Sequence, residues 1–253
     1  MKRVTLLCGL LLALTAGVAA AAPGVNIRWN NCIGDAGLLN RNFACNTNGG
    51  SAVMTLSFEL GADILASSGQ EVVVDLASAD PTLPAWWSFL NAGTCRQGSL
   101  SVNSALSPAA VACADWAQNG PATAGLGAYQ IGLRGPNTAR VKVAIAVQLS
   151  GLSDLLGGTE YFSCNLQINN LKTVGTGACA GCSVPVCVVF NSIKNTTSNP
   201  DNDRTTTGPA NGFDSDFVTY QGGGGVVVGG VPGCGAATPT KNATWGAVKA
   251  MYH

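Results

Sequence analysis

Charge is scarce in this chain of 253 residues: only 10% are Asp, Glu, Lys or Arg, against roughly 25% in ordinary soluble domains. Lys plus Arg number 13 and Asp plus Glu number 13. No basic surplus exists to grip nucleic acid or an anionic membrane. Histidine is almost missing, with one copy at position 253, and there are only three glutamates. A His-ligated metal centre, a Ser-His-Asp triad and most His general-base schemes therefore lack parts. Helical periodicity is rare. Beyond the first residues no apolar run reaches the ~20 residues needed to cross a bilayer. No repeat with a period of roughly 20–50 residues is visible, which argues against a solenoid or propeller.

What is present begins with an address. Lys2 and Arg3 precede the apolar run Val4 to Leu14, and small residues follow to Ala22. This is the pattern of a secretory signal peptide, with cleavage expected before Ala21 or Ala22. The apolar run is too short for a membrane anchor. The expectation is residues 1–21 as signal peptide and a mature product outside the cytoplasm, secreted, periplasmic or at the cell surface, with no membrane span.

Ten cysteines make export chemically consequential, because disulfides persist in oxidising compartments. Cys8 leaves with the leader. Cys32, Cys45, Cys95, Cys113, Cys164, Cys179, Cys182, Cys187 and Cys234 remain, an odd number that leaves one thiol over. Phe162, Cys164, Leu166 and Ile168 alternate with Ser163, Asn165 and Gln167. Strand periodicity therefore predicts Cys164 in the core as the free thiol, with Phe162 beside it. The other eight are assigned to bridges. The shortest loops suggest Cys32–Cys45 and Cys95–Cys113, leaving the pairing among Cys179, Cys182, Cys187 and Cys234 open. Cys179-Ala180-Gly181-Cys182 also invites a redox or zinc reading. It precedes a strand rather than opening a helix, and no second Cys-x-x-Cys accompanies it, so structural bridges are favoured.

Period-2 alternation dominates the remainder. Ala52, Met54, Leu56, Phe58 and Leu60 share one strand face, and Val72, Val74 and Leu76 another. Tyr129, Ile131 and Leu133, then Val141, Val143, Ile145 and Val147, flank the turn around Gly135-Pro136-Asn137 as an antiparallel hairpin. Further strands are expected near 25–31, 159–170, 185–193 and 215–220. About eight such strands predict an all-β, antiparallel β-sandwich, immunoglobulin-like or jelly-roll in outline, stabilised by disulfides over residues 22–238. Residues 107–118 read as a short helix or turn, and 195–212 as a long loop. Residues 239–253 read as a C-terminal helical segment, with Trp245, Val248 and Tyr252 on one face.

Three features could carry chemistry. Asp201, Asp203, Asp214 and Asp216 place oxygen ligands in one polar segment, which suits Ca²⁺ as a cofactor. The spacing departs from an EF-hand loop, and a solvated loop is the plainer reading. Trp86-Trp87 would turn one indole outward if it lay on a strand, offering a carbohydrate or a surface protein a stacking face, unless both tryptophans belong to the core. Asp63, Asp75, Asp80, Asp115 and Asp154 are scattered, and no spacing singles out a carboxylate pair for glycoside hydrolysis. Asn195-Thr196-Thr197 and Asn242-Ala243-Thr244 fit the glycosylation pattern, a weak three-residue signal.

Trp29-Asn30-Asn31-Cys32, Trp86-Trp87, Cys95-Arg96, the stretch from Lys172 to Cys182 and the ending Thr244-Trp245-Gly246-Ala247-Val248-Lys249 together resemble a set of uncharacterised secreted bacterial proteins. The resemblance spans nearly the whole mature chain. It implies export from a bacterial cell and a single unit rather than a mosaic, and it brings no activity and no functional residue. The sequence thus favours an exported, non-enzymatic β-sandwich with a structural or ligand-binding role. The alternative is a secreted hydrolase working through Asp carboxylates, with Ca²⁺ as a stabiliser.

Overall fold

The computed structural model describes residues 23–208 and 216–223. The expected signal peptide, Asp214, Cys234 and the expected C-terminal helical segment all lie outside the described residues.

The strands are β1 (Gly24–Trp29), β2 (Asn40–Arg41), β3 (Ser51–Glu59), β4 (Ile64–Ser78), β5 (Leu100–Asn103), β6 (Ala114–Asp115), β7 (Thr123–Ile131), β8 (Thr138–Ala146), β9 (Ser153–Leu155), β10 (Glu160–Asn169), β11 (Val186–Thr197), β12 (Arg204–Thr207) and β13 (Phe217–Tyr220). They form two sheets. A five-stranded sheet runs β1-β3-β10-β5, with β6 attached to β10. An eight-stranded sheet runs β2-β13-β11-β4-β8-β7, with β12 attached to β11 and β9 to β4. Pairing is mostly antiparallel, with parallel contacts at β6–β10 and β2–β13. The fold is therefore the disulfide-stabilised, sandwich-like all-β arrangement that alternation predicts.

The inward rows of β3, β4 and β8 are those read from the sequence, whereas Ile131 and Leu133, expected on one apolar face with Tyr129, are exposed. Val25, Ile27 and Trp29 of β1, Met54, Leu56 and Phe58 of β3, and Cys164, Leu166 and Ile168 of β10 face Val72, Val74 and Leu76 of β4, Val141, Val143 and Ile145 of β8, and Val186, Val188 and Phe190 of β11, all buried in one core. The β7–β8 hairpin forms as expected, with Ile131 opposite Ala139. On the outer surface of that sheet Asp75 sits opposite Arg140 in the β4–β8 register. It accepts from Arg140 Nε at 2.6 Å and lies 3.1 Å from Arg134 Nε.

Bulges change the faces of particular residues. The β10–β3 register slips between Phe162 and Cys164. One extra residue inverts the alternation. Phe162 therefore leaves the row of Cys164 and packs on the other face of the sheet with Cys32, Cys113, Leu106 and Ala110, contrary to the sequence expectation. Ser163 is fully buried instead. In β11 a slip between Phe190 and Ser192 moves the inward row to Ile193, Asn195 and Thr197. The polar segment expected as a long loop from 195 is partly strand, because Ser192 to Asn195 pair with Thr207 to Arg204. Its strands carry little apolar periodicity, and backbone pairing rather than side-chain alternation defines them. Residues 107–118 hold turns and β6, not a helix.

The bridges are Cys32–Cys113, Cys45–Cys182 and Cys95–Cys179, with sequence separations of 81, 137 and 84. The expected local pairs Cys32–Cys45 and Cys95–Cys113 are not formed. Loop length alone does not decide the pairing, because the two assembled sheets hold distant turns side by side. Cys187 is also disulfide-bonded, and Cys164 is free and buried as predicted.

Candidate functional site

Trp86 and Trp87 lie in a 3-10 turn, Ala85–Trp87, and both are buried. Neither presents an indole to a sugar or a partner, because the segment is not the strand that would have splayed them. Instead they build one end of the core. Trp87 meets Tyr220 edge-on at 5.0 Å, and Trp86 stacks on Tyr220 at 5.6 Å. Arg96, fully buried, lies over Trp86 with its guanidinium carbon 3.7 Å from the ring centroid. It donates to Trp86 O at 2.9 Å and to Asn169 O. Burial pulls the Arg96 guanidinium down to about 10, with the Tyr220 and Tyr129 hydroxyls acting in the opposite sense. Cation–π contact and backbone carbonyls hold this charge in place of a carboxylate.

The Cys179–Cys182 motif is split between two partners. Cys182 ties the 170–185 loop to the segment before β3, and Cys179 ties it to the loop before β5. Neither a dithiol nor a thiolate set exists at the motif, so redox exchange within it and zinc ligation by it lose their chemistry. Gly181 between them is in the left-handed region at φ +98°, where a Cβ would fall 2.1 Å from Pro84 Cβ. That close approach lets Trp86 N donate to Ala180 O at 2.9 Å.

The aspartates act in turns. Asp63 accepts from Gly157 N at 2.8 Å, Asp154 from Ala66 N at 2.8 Å and Asp115 from Ala117 N at 2.9 Å. Asp75 is held by its two arginines, and Asp80 is exposed. No two of them share a cleft given by their contacts. Of the acidic segment, Asp201 is exposed in a 3-10 turn. Asp203 accepts from Lys194 Nζ and from Thr197 N, both at 2.9 Å. These donors hold its carboxyl below the usual range. Asp216 sits at the start of β13, where burial raises it and its carbonyl accepts from Phe190 N. These positions are spread along β11 and do not converge as a ligand set. Among the described residues the sole metal-type grouping is Cys32, Asp35 and Cys113, and its two sulfurs are bonded to each other. Asn195 is fully buried between β4 and β12, so the first glycosylation motif is closed to modification in the folded chain.

The arrangement that sequence reasoning missed is a carboxyl pair. Glu59 of β3 and Glu160 of β10 stand directly opposite in register, on the face of the five-stranded sheet away from the core. Around them are Asn26 and Arg28 of β1 and Ser57 of β3, all buried. Ser57 Oγ donates to Glu160 Oε1 at 2.6 Å, and Asn26 Nδ2 donates to the same oxygen at 3.4 Å. Glu59 is 8% exposed and its Oε1 has no hydrogen-bond partner. Burial raises both carboxyls above their ordinary value. The Glu160 charge raises Glu59 further, whereas Ser57, Asn26 and Arg28 oppose the rise at Glu160. The signal that could have found the pair was thin: two of the three glutamates each end or begin an alternating strand. On the same face of the sheet, Asn30, Thr55, Leu106, Phe162 and Asn165 line a pocket of about 20 Å³, room for about one water and no organic substrate. A larger depression of about 260 Å³ lies on the outer face of the other sheet, over Glu71, Val73, Gly127, Lys142 and Ala144. It is open, and Glu71 and Lys142 are the charged side chains that line it, fewer than the convergent set that marks a reactive site.

No protein-family model matches the chain, and no curated protein matches it either.

Proposed function

We propose that this chain is an exported, non-enzymatic β-sandwich that serves as a structural or ligand-binding module at the bacterial cell surface or in the extracellular space. The observation that carries the reading is the set of disulfides between segments more than 80 residues apart, a framework typical of oxidising compartments and rare in the cytosol. The leader-like first 21 residues, and the resemblance to secreted bacterial proteins, agree with it. Against catalysis by aspartates stands the engagement of Asp63, Asp75, Asp115, Asp154 and Asp203 in turns and ion pairs, with the pocket lined by Thr55 and Phe162 too small for an organic substrate. The test expresses the full chain in a bacterium, followed by fractionation, N-terminal sequencing and a screen of the purified product against polysaccharide and ester substrates. The expected outcome is a chain beginning at Ala21 or Ala22, outside the cytoplasm, oxidised and without turnover. Cytoplasmic retention with reduced cysteines, or turnover abolished by a single Asp→Asn substitution, would overturn it.

A further inference from the structure

We infer that Glu59 and Glu160 form an asymmetric acid pair, in which Glu160 carries the charge and Glu59 keeps the proton, making the β1-β3-β10 face a pH-sensitive clasp. The asymmetry follows from partners. Glu160 accepts from Ser57 Oγ and Asn26 Nδ2 and lies within the field of Arg28. Hydrogen bonds to a carboxylate and a nearby cation favour its charged form. Glu59 has none of these: its Oε1 is buried without a donor. It faces Glu160 across the strand pair, where like charges are unfavourable. Two carboxylates in one site do not both ionise readily, and their protons leave in two coupled steps.

The neighbouring charges leave the assignment intact. Arg28 on β1 and Asp35 in the 33–35 turn act on Glu160 with opposite signs. Asp115 on β6 lies beside Phe162, with its Oδ1 engaged by Ala117 N. Asp63, beyond the end of β3, is engaged by Gly157 N. Arg28 therefore favours the charge at Glu160, whereas the Glu160 charge disfavours one at Glu59.

A carboxyl raised in the folded state stabilises fully below its unfolded value, and that contribution is lost as pH rises through the folded value. The clasp is therefore firmest below the ordinary glutamate range and is strained progressively as pH rises through the raised value of Glu59. The experiment is a side-chain ¹³C carboxyl titration of the mature protein, with Glu59→Gln and Glu160→Gln for assignment, alongside thermal unfolding from pH 4 to 8. The expected result is two steps, the later one assigned to Glu59 and above the ordinary glutamate range. In Glu160→Gln the Glu59 midpoint moves down, and in Glu59→Gln the fall of melting temperature with rising pH is flattened. Titration of both carboxyls in the ordinary range, a later step belonging to Glu160, or a Glu59 midpoint unmoved in Glu160→Gln overturns the inference. If Glu59→Gln does not fold, the wild-type titration and Glu160→Gln decide alone.

Discussion

The two ends of this sandwich are built on different chemistry. Where β4 finishes, the core is closed by Trp86, Trp87, Phe89, Tyr129 and Tyr220 around Arg96, and two disulfides staple the 170–185 loop across it. Where β4 begins, the core turns polar. Ser163 Oγ donates to Gln70 Oε1 at 2.6 Å, and Gln70 Nε2 donates to Asn195 Oδ1 at 3.2 Å, all three fully or almost fully buried. Ser67 and Ser153 face each other in the β4–β9 register with both hydroxyls buried and unpartnered. One end is held by large apolar contact area and covalent links, the other by a hydrogen-bond chain that is only partly satisfied. The contrast teaches where stability resides, since aromatic burial is worth more than a neutral hydrogen bond whose net gain is about 1 kcal/mol.

Substitutions at the two ends should reproduce that ranking. Trp86→Ala removes a ring in contact with Trp87, Phe89, Tyr220 and Arg96, and denaturant unfolding should register a loss of about 3–5 kcal/mol. A loss below 1 kcal/mol would show that the aromatic end is not the anchor. Replacing Cys45 and Cys182 together by serine opens a bridge of separation 137. The expected cost in the same assay is about 2–5 kcal/mol, and equal stability of the two proteins would make the staple incidental. At the polar end, Gln70→Ala strands the Ser163 hydroxyl and the Asn195 carbonyl, for about 1–3 kcal/mol. Ser67→Ala should be the smallest change, neutral or stabilising by up to about 1 kcal/mol, because the lost hydroxyl has no partner. A clear destabilisation there would reveal a bond that Ser67 makes in solution. Cys164 sharpens the picture midway between the ends. Burial pushes its thiol up to about 12, so a maleimide at neutral pH should leave it unmodified until the chain unfolds, as intact mass will read.

Much of the fold was legible because alternation survives wherever a strand faces one core. Leu56, Val74, Val143 and Val188 sit where period 2 puts them. Legibility failed where one residue was added. The bulges beside Phe162 and Asn191 invert the faces that follow, and no composition signal announces them. It failed again for Trp86-Trp87, where a 3-10 turn buries both rings that a strand would have divided. The disulfide partners were out of reach for a topological reason: the proximity of Cys45 to Cys182 is a property of two assembled sheets, not of spacing. The candidate carboxyl pair was missed for the same cause, since Glu59 and Glu160 meet only through the β3–β10 register.

The split of Cys179 and Cys182 between separate partners also bears on the order of events as a chain emerges N-terminus first. Cys32 and Cys45 are both available long before Cys113 and Cys182, and Cys95 and Cys113 long before Cys179. The earliest encounters are therefore between sulfurs that must later separate, and the native set can close only after the 170–185 loop has arrived. Oxidative refolding of the reduced chain should therefore run faster with a thiol–disulfide isomerase present to undo premature links.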